Sequence, residues 1–372
     1  MILKSHLTLP NYGTYVLPKS NRAFFNKYEA IVTAAAAGEW VEWDYNDAFF
    51  SKQPWQVEPT ETLDQLYAAR CKELREQYDY LVLHLSGGWD SGQALEAFMD
   101  SNTPLDEIIT RGAIPDKIDQ LDQSAANCYA ECIISALPKA KLAQEKWPHM
   151  KITVANTKQM SVDFFSKDKD WFTKINQIHV GIHRFDLDLL SPHALAANKQ
   201  NKSVCHIISV DKPRMHRVGD RYHWRFLDLL TQIHFAERLS PVDLPMNVEL
   251  FYWAPTAAGS ALMRKQGHVM KRYFKATGVD PEVLAGGRKN NDIIASIVYP
   301  NIKYPAWNTE KPSDIPEFDH WFYKDTESAH FKNWHNGLLH MAATVPLEYQ
   351  NKGNAAKHGL VGFWSKSYDL GT

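Results

Sequence analysis

A glycine-rich turn is the segment of the chain whose residue types and spacing best suit chemistry, and it reads Ser86-Gly87-Gly88-Trp89-Asp90-Ser91. Two adjacent glycines let the backbone adopt positive φ and approach a ligand closely. Successive amides in such a turn form a concave site for an anion. A helical pattern follows, so the turn would gain the free amides and the positive dipole end of a helix N-terminus. We therefore expect this loop to bind phosphate, with the Ser86 and Ser91 hydroxyls as further donors.

Asp90 is unexpected in a loop that only binds an anion, because its carboxylate repels phosphate. A Mg²⁺ ion that bridges the phosphates would remove this conflict, since magnesium prefers oxygen ligands. A second explanation is that the carboxylate holds the loop amides in place. The chain contains no G-x-x-x-x-G-K-[S/T] sequence, so the loop is not a Walker A motif.

All fixed positions of the pattern S-G-G-x-D-S are present, and the loop resembles the PP-loop of the N-type ATP pyrophosphatases. Within that superfamily the synthetase half of asparagine synthetase looks nearest, since a helix precedes the motif strand there too. The resemblance extends over residues 80–214 and is sharp only in the loop. It implies a parallel-sheet α/β fold, ATP and Mg²⁺ as cofactors, and nucleotide binding by Ser86, Gly87, Gly88, Asp90 and Ser91.

The resemblance also implies an adenine site along the second strand of the sheet. In this superfamily the adenine lies against that strand and is held largely by backbone groups. The strand is expected at Glu107–Thr110, so the adenine contacts are assigned to Ile109, Thr110 and Arg111. Backbone recognition leaves no side-chain pattern, so this assignment depends on the strand alone.

A basic residue late in the domain commonly helps these enzymes to neutralise the pyrophosphate. Here the fourth expected strand ends in Asp211-Lys212-Pro213-Arg214. The resemblance therefore assigns charge stabilisation to Lys212 and Arg214, as catalytic residues alongside Asp90. It also suggests that Asp211 shares the metal with Asp90. A solvent-exposed turn held by Pro213 is the alternative interpretation.

Apolar and helical patterns around the loop predict the elements that position it. Short apolar runs typical of buried parallel strands lie at Tyr80–Leu85, Glu107–Thr110, Lys151–Val154 and Val204–Val210. Helical patterns cover Leu63–Gln77, which Thr60 would cap, and Gly92–Met99, Gln120–Leu137, Val162–Ile175 and Asp186–Asn198. Strands that alternate with helices favour right-handed crossovers and a mostly parallel sheet. The loop then lies at the carboxyl end of a strand, where open α/β sheets bind ligands.

The length of 372 residues allows two or three structural units. We expect an N-terminal cap segment over residues 1–60, an ATP-binding domain over 61–235 and an acceptor-recognition region over 236–372. Prolines punctuate the last region, which we expect to be mainly helical or irregular. Its basic pairs are candidates for acceptor binding: Arg264-Lys265, Lys271-Arg272 and Arg288-Lys289.

A formal net charge of -2 gives no sign of a general nucleic-acid or membrane-surface binder. Nucleic acid therefore enters only as a candidate substrate, and no membrane partner is expected. The four cysteines form no C-x-x-C pair, and the first residues show no signal-peptide pattern. We therefore expect a soluble cytoplasmic protein.

The implied reaction is adenylation, in which a substrate oxygen attacks the α-phosphate of ATP, pyrophosphate leaves, and an amine then displaces AMP. The acceptor is a small molecule or a macromolecule that the sequence does not identify. Ile2 stands where the glutamine-hydrolysing half of asparagine synthetase has a cysteine, so ammonia release from glutamine is not expected. Sulfur transfer to tRNA or sulfonucleotide reduction is the alternative on the same fold. A nucleotide-binding module without turnover is the third hypothesis.

Overall fold

The computed structural model describes residues 13–112, 131–156, 158–173, 191–209, 213–228, 247–281, 325–351 and 359–372. Its strands, in chain order, are β1 (Thr14–Leu17), β2 (Arg22–Phe24), β3 (Glu42–Asp44), β4 (Tyr80–His84), β5 (Glu107–Gly112), β6 (Lys151–Asn156), β7 (Val204–Ile208), β8 (Arg214–Val218), β9 (Arg221–Arg225), β10 (Asn247–Leu250), β11 (Gln350–Asn351), β12 (Gly359–Leu360) and β13 (Tyr368–Asp369). Its α-helices are α1 (Lys27–Ala37), α2 (Asp47–Phe50), α3 (Leu63–Gln77), α4 (Trp89–Asp100), α5 (Leu137–Lys146), α6 (Lys158–Lys167), α7 (Pro192–Lys199), α8 (Ala257–Thr277) and α9 (Ala329–Thr344). A π-helix spans Glu131–Ala136, directly before α5.

A five-stranded parallel sheet in the order β10-β7-β4-β5-β6 forms the centre of the fold. Four of its strands, β4 to β7, were predicted from their apolar runs, and the α/β class is confirmed. The fifth strand, β10, lies beyond residue 235, where the sequence predicted only helical or irregular structure. Its sequence Asn-Val-Glu-Leu is too short and too polar for its period to identify it. Its pairing with β7 shows that the sheet continues into the C-terminal region.

The direction of chain progression reverses at β4. From this strand the chain adds β5 and β6 on one side, then returns to add β7 and β10 on the other. In open α/β sheets a ligand binds outside the carboxyl ends of the strands at such a reversal point, because the loops diverge there and leave a crevice. The turn of residues 86–88 leaves β4 at this point, so the topology places the predicted phosphate loop where such a crevice is expected.

Helix α3 has the predicted bounds, but its cap differs from the prediction. The Thr62 hydroxyl, rather than that of Thr60, accepts from the Gln65 amide at 3.3 Å. The Gln65 side-chain oxygen accepts from the Thr62 amide at 2.9 Å, which completes a capping box. Thr60 lies two residues too early for this geometry.

The other four predicted helices depart from their predicted bounds or are described only in part. Helix α4 begins at Trp89, inside the motif, rather than at Gly92. The helix predicted over 120–137 is described only from residue 131, where a π-helix continues into α5. The pattern over 162–175 divides into α6 and a 3₁₀ turn, Trp171–Thr173, because the intervening backbone bonds to the Asp168 carboxylate. The pattern over 186–198 is described only from residue 191.

The N- and C-terminal segments share one hydrophobic core with the central sheet. Strands β2-β1-β3 and β13-β9-β8 form two small antiparallel sheets on its periphery. The Tyr45 hydroxyl donates to the Trp253 carbonyl at 2.5 Å, and the Trp55 and Tyr368 rings stack at 4.7 Å. In the described ranges, the divisions at residues 60 and 235 thus do not separate independent cores. None of the helices within these ranges has the length and apolar character needed to cross a bilayer.

Candidate phosphate-binding site

The backbone of the candidate loop has the conformation that an anion site needs. Gly87 has φ +91°, a region that residues with a Cβ rarely adopt. Gly88 is the N-cap of α4 and, having no side chain, leaves this helix without a side-chain cap. The first amides of α4 therefore face a position where a ligand oxygen can replace the missing cap.

The two serines of the loop hold its ends together. The Ser91 hydroxyl accepts from the Ser86 amide at 3.1 Å and lies 3.0 Å from the Ser86 hydroxyl. The Ser86 hydroxyl in turn accepts from the Gly88 amide at 3.2 Å. Ser91 is buried and Ser86 is exposed, so only Ser86 has its side chain open to a ligand in this arrangement. The sequence predicted both hydroxyls as ligand donors, and the structure adds a role in closing the loop.

A contact from the π-helix supports the loop from behind. The buried Ser135 hydroxyl donates to the Gly87 carbonyl at 2.7 Å. Three residues earlier in the π-helix, Cys132 Sγ lies 2.9 Å from Thr110 Oγ1 on β5. The π-helix therefore ties the loop to the neighbouring strand and occupies the Gly87 carbonyl with a hydrogen bond. π-helical turns recur at functional sites, but sequence reasoning placed no functional residue in this one.

A second contact reaches the loop from the end of β10. The Tyr252 hydroxyl donates to the Asp90 carbonyl at 2.8 Å, in the first turn of α4. Burial raises the pKa of Tyr252 well above its usual value, so the phenol stays protonated as a donor. The Asp90 side chain is half-buried. The hydrogen bond from Tyr252 thus holds the backbone of Asp90 in the first turn of α4.

The three residues that were predicted to contact adenine lie toward the carboxyl end of β5, the strand next to β4. The Ile109 carbonyl accepts from the Leu85 amide at 2.8 Å, and the Thr110 hydroxyl lies against Cys132. Both residues are buried, whereas Arg111 is partly exposed. Desolvation lowers the pKa of the Arg111 guanidinium to about 10, so it remains charged at neutral pH. Of the three, Arg111 is the residue best placed to meet a ligand with its side chain.

Two buried histidines contact each other between β4 and β7, the neighbouring strands on one side of the reversal point. His84 Nε2 on β4 lies 2.9 Å from His206 Nδ1 on β7. For this bond to form, one imidazole donates and the other accepts. The sequence placed both residues in apolar strands and gave no sign that they would pair, because the contact spans two strands that are distant in the chain.

The predicted basic residues after β7 are only partly described. Asp211 and Lys212 lie outside the described residues, so their proposed roles stay predictions. Arg214 is the first residue of β8 and lies opposite Arg225 of β9. Like charges in opposite positions of a hairpin disfavour one another. No hydrogen bond or ion pair joins Arg214 to the loop in the part of the chain that the structure describes.

Most of the basic pairs expected to bind an acceptor contact the chain itself. Three of these cations contact the segment 54–59: Lys265 pairs with Glu58 at 2.9 Å, Arg272 also pairs with Glu58, and Arg264 donates to the Val57 carbonyl at 3.1 Å. The fourth, Lys271, donates to the Leu370 carbonyl near the C-terminal end at 2.7 Å. These cations anchor α8 to its surroundings. The remaining pair, Arg288-Lys289, lies outside the described residues.

The donor set near the loop fits a magnesium ion held mainly by phosphate. Among the described side chains, no group of three or more His, Cys, Asp or Glu residues is arranged to hold a metal. Magnesium in nucleotide sites needs only one or two protein carboxylates, because phosphates and water supply the other ligands. Asp90, in the first turn of α4, meets that requirement.

Comparisons with known proteins do not extend this description. The chain was compared with models of protein families, and none of them matches it. A search of curated proteins also found no match.

Proposed function

We propose that the chain binds ATP with Mg²⁺ at the Ser86–Ser91 loop and cleaves it between the α- and β-phosphates, so that an acceptor oxygen becomes adenylated. The observation that carries this proposal is the position of a complete S-G-G-x-D-S sequence at the reversal point of a parallel sheet, with Gly87 at positive φ and the N-terminus of α4 uncapped. The PP-loop assignment depends on this combination of sequence and topology.

In the proposed mechanism the protein positions and neutralises rather than forming a covalent bond. The loop amides and the first turn of α4 bind the pyrophosphate part of ATP. Asp90 would hold a Mg²⁺ ion, and the ion would supply positive charge against the phosphates. Ser135 and Tyr252 donate hydrogen bonds to the Gly87 and Asp90 carbonyls and so hold the backbone of the loop in place. The acceptor oxygen then displaces pyrophosphate from the α-phosphorus.

The described cysteines favour adenylation over sulfur transfer. Cys71, Cys132 and Cys205 are buried, and within the described residues none of them forms a disulfide bond. Burial raises the pKa of Cys71 to about 12 and that of Cys205 well above its usual value. The thiolate is the nucleophilic form, so these two groups are poor sulfur carriers at neutral pH. We also place the enzyme in the cytoplasm, where free thiols stay reduced.

The experiment that tests the proposal uses ATP labelled at the α- or the γ-phosphate. The full chain is incubated with Mg²⁺ and pools of small-molecule or tRNA acceptors, and the labelled products are separated. We expect the α-phosphate label in AMP or in an adenylated acceptor, and the γ-phosphate label in pyrophosphate. ADP and orthophosphate as the main products would contradict the proposal. Tight ATP binding without cleavage for any acceptor would favour the module without turnover.

A further inference from the structure

Lys139 lies against the first turn of α4, directly after the candidate loop, although nothing in its sequence context marks it. It is four residues beyond Ser135, the residue that holds the Gly87 carbonyl. Its Nζ lies 3.1 Å from the position that a Cβ on Gly92 would occupy. The Gly92 amide donates to the Gly88 carbonyl at 3.0 Å, which closes the first turn of α4. The ammonium of Lys139 is therefore on the N-terminal turn of the helix that follows the loop.

This position is electrostatically unfavourable for a cation in the absence of an anion. The N-terminus of a helix carries partial positive charge, so an ammonium there is repelled. Within the described ranges, Lys139 forms no hydrogen bond or ion pair. The acid that interacts with it is Glu96, whose pKa is raised, first by burial, although the Lys139 charge acts in the opposite direction.

The residue type at position 92 of α4 also indicates that the Lys139 ammonium needs space at this turn. Glycine in the interior of a helix stabilises the helix less than alanine does. A Cβ here would approach the ammonium more closely than ordinary van der Waals contact allows. The sequence thus has a residue that weakens α4 at the place where the Lys139 side chain passes.

We propose that Lys139 contacts the pyrophosphate part of ATP at the loop and stabilises it as it leaves. This inference rests on the proposed function. The acceptor oxygen forms a bond to the α-phosphorus, and the bond from that phosphorus to the α–β bridging oxygen breaks. The electron pair of that bond leaves on the bridging oxygen, so negative charge grows on pyrophosphate. Lys139 keeps its proton throughout and supplies positive charge where this negative charge develops.

The first test measures binding of inorganic pyrophosphate with Mg²⁺ to the full chain by calorimetry. Loss of one charge-assisted hydrogen bond weakens binding by about tenfold to a hundredfold. We expect that loss for Lys139→Met and a smaller loss for Lys139→Arg, which keeps the charge. Lys141→Met is the matched control, because Lys141 is exposed on the same helix. The affinity of this variant for pyrophosphate should stay within about twofold of that of wild type. Equal affinities of wild type and Lys139→Met would overturn the inference.

A second variant separates the effect on binding from an effect on folding. Gly92→Ala should stabilise α4 through helix propensity, yet displace the ammonium and weaken pyrophosphate binding severalfold. A thermal midpoint at or above the wild-type value with weaker binding supports the inference. Unchanged binding in Gly92→Ala together with unchanged binding in Lys139→Met overturns it.

The outcomes also distinguish this inference from the proposed function. If wild type neither binds pyrophosphate nor splits ATP, both fail. If wild type splits ATP between the α- and β-phosphates and Lys139→Met does so at the same rate, only the role of Lys139 fails. If Lys139→Met lowers kcat more than it raises KM for ATP, the charge acts mainly as pyrophosphate departs, which is the expected result.

Discussion

At the scale of single residues, Gly87 and Asp90 belong to the same motif, but we expect the backbone of Gly87 and the side chain of Asp90 to be the parts that matter. We expect Gly87 to matter for its backbone, since its φ of +91° lies in a region that residues with a Cβ rarely adopt. We expect Asp90 to matter for its side chain, because the proposed site assigns Mg²⁺ to its carboxylate, while its backbone carbonyl bonds to Tyr252. Substitutions at the two positions should therefore fail in different ways.

Gly87→Ala should lower both the stability of the protein and its affinity for ATP. The positive φ costs a residue with a Cβ about 1–2 kcal/mol. Gly38 has φ +62° at the C-terminus of α1 with open space around it, so Gly38→Ala carries the same strain elsewhere. Urea unfolding should give similar losses of stability for both variants, and calorimetry should show weaker ATP binding only for Gly87→Ala. Equal ATP affinities in the two variants would remove Gly87 from the site.

Asp90→Asn should reduce turnover by about two orders of magnitude or more, comparable to the loss of a key electrostatic group. The change keeps the volume and removes the charge that would hold Mg²⁺. Asp100→Asn, at the exposed end of the same helix, is the control and should retain full activity. Both variants should unfold at temperatures close to that of wild type. Wild-type turnover by Asp90→Asn at saturating Mg²⁺ would refute a role for this carboxylate.

At the scale of elements, the π-helix and α5 act as a support for the phosphate loop. The π-helix reaches β5 through Cys132 and the loop through Ser135, and α5 continues from it to Lys139. Because these contacts lie on one continuous helical segment, a shift of that segment would move the loop, the strand edge and the cation together.

Ser135→Ala should weaken ATP binding through a change in loop geometry. The variant leaves the buried Gly87 carbonyl without this donor, which costs about 1–3 kcal/mol. Ser161→Ala removes another buried hydroxyl, on α6, and is the matched control. Both stabilities are measured by urea unfolding, and we expect a raised KM for ATP only in Ser135→Ala. A wild-type KM in that variant would show that the loop keeps its shape without the bond.

At the scale of the whole molecule, a buried ion pair joins the helix before the motif to the last strand of the sheet. Arg70 on α3 is fully buried and bonds to Glu249 on β10 at 3.0 Å and to the Phe251 carbonyl at 3.2 Å. Residue 252 follows at once and reaches the Asp90 carbonyl. The packing of α3 against β10 therefore helps to set the position of the loop.

Arg70→Met should destabilise the protein by about 3–5 kcal/mol, because it leaves Glu249 in a buried site without its cation. Arg75→Met breaks the partly exposed pair with Asp106 and should cost about 1 kcal/mol or less. Urea unfolding measures both losses. At temperatures where Arg70→Met is folded, we also expect weaker ATP binding. Similar small losses in the two variants would show that the buried pair contributes little to stability.

The sequence by itself determined those features that depend on neighbours in the chain. The strands β4 to β7 follow from short apolar runs, and α3 follows from its period and its acidic first turn. The cap at Thr62 was also available locally, since Gln65 three residues later completes the capping-box pattern. The loop was recognised because its glycines, serines and aspartate lie within six consecutive positions.

Tertiary structure alone decided which distant residues surround that loop. Ser135 is 48 residues from Gly87, and Tyr252 is 162 residues from Asp90, so no local pattern could relate them. Strand β10 is recognisable only by its pairing with β7, since its own sequence is short and half polar. The Lys139 ammonium meets Gly92 because α5 packs across α4. Contacts of this kind arise from the packing of whole elements, which depends on surface shape across the core and not on residue spacing along the chain.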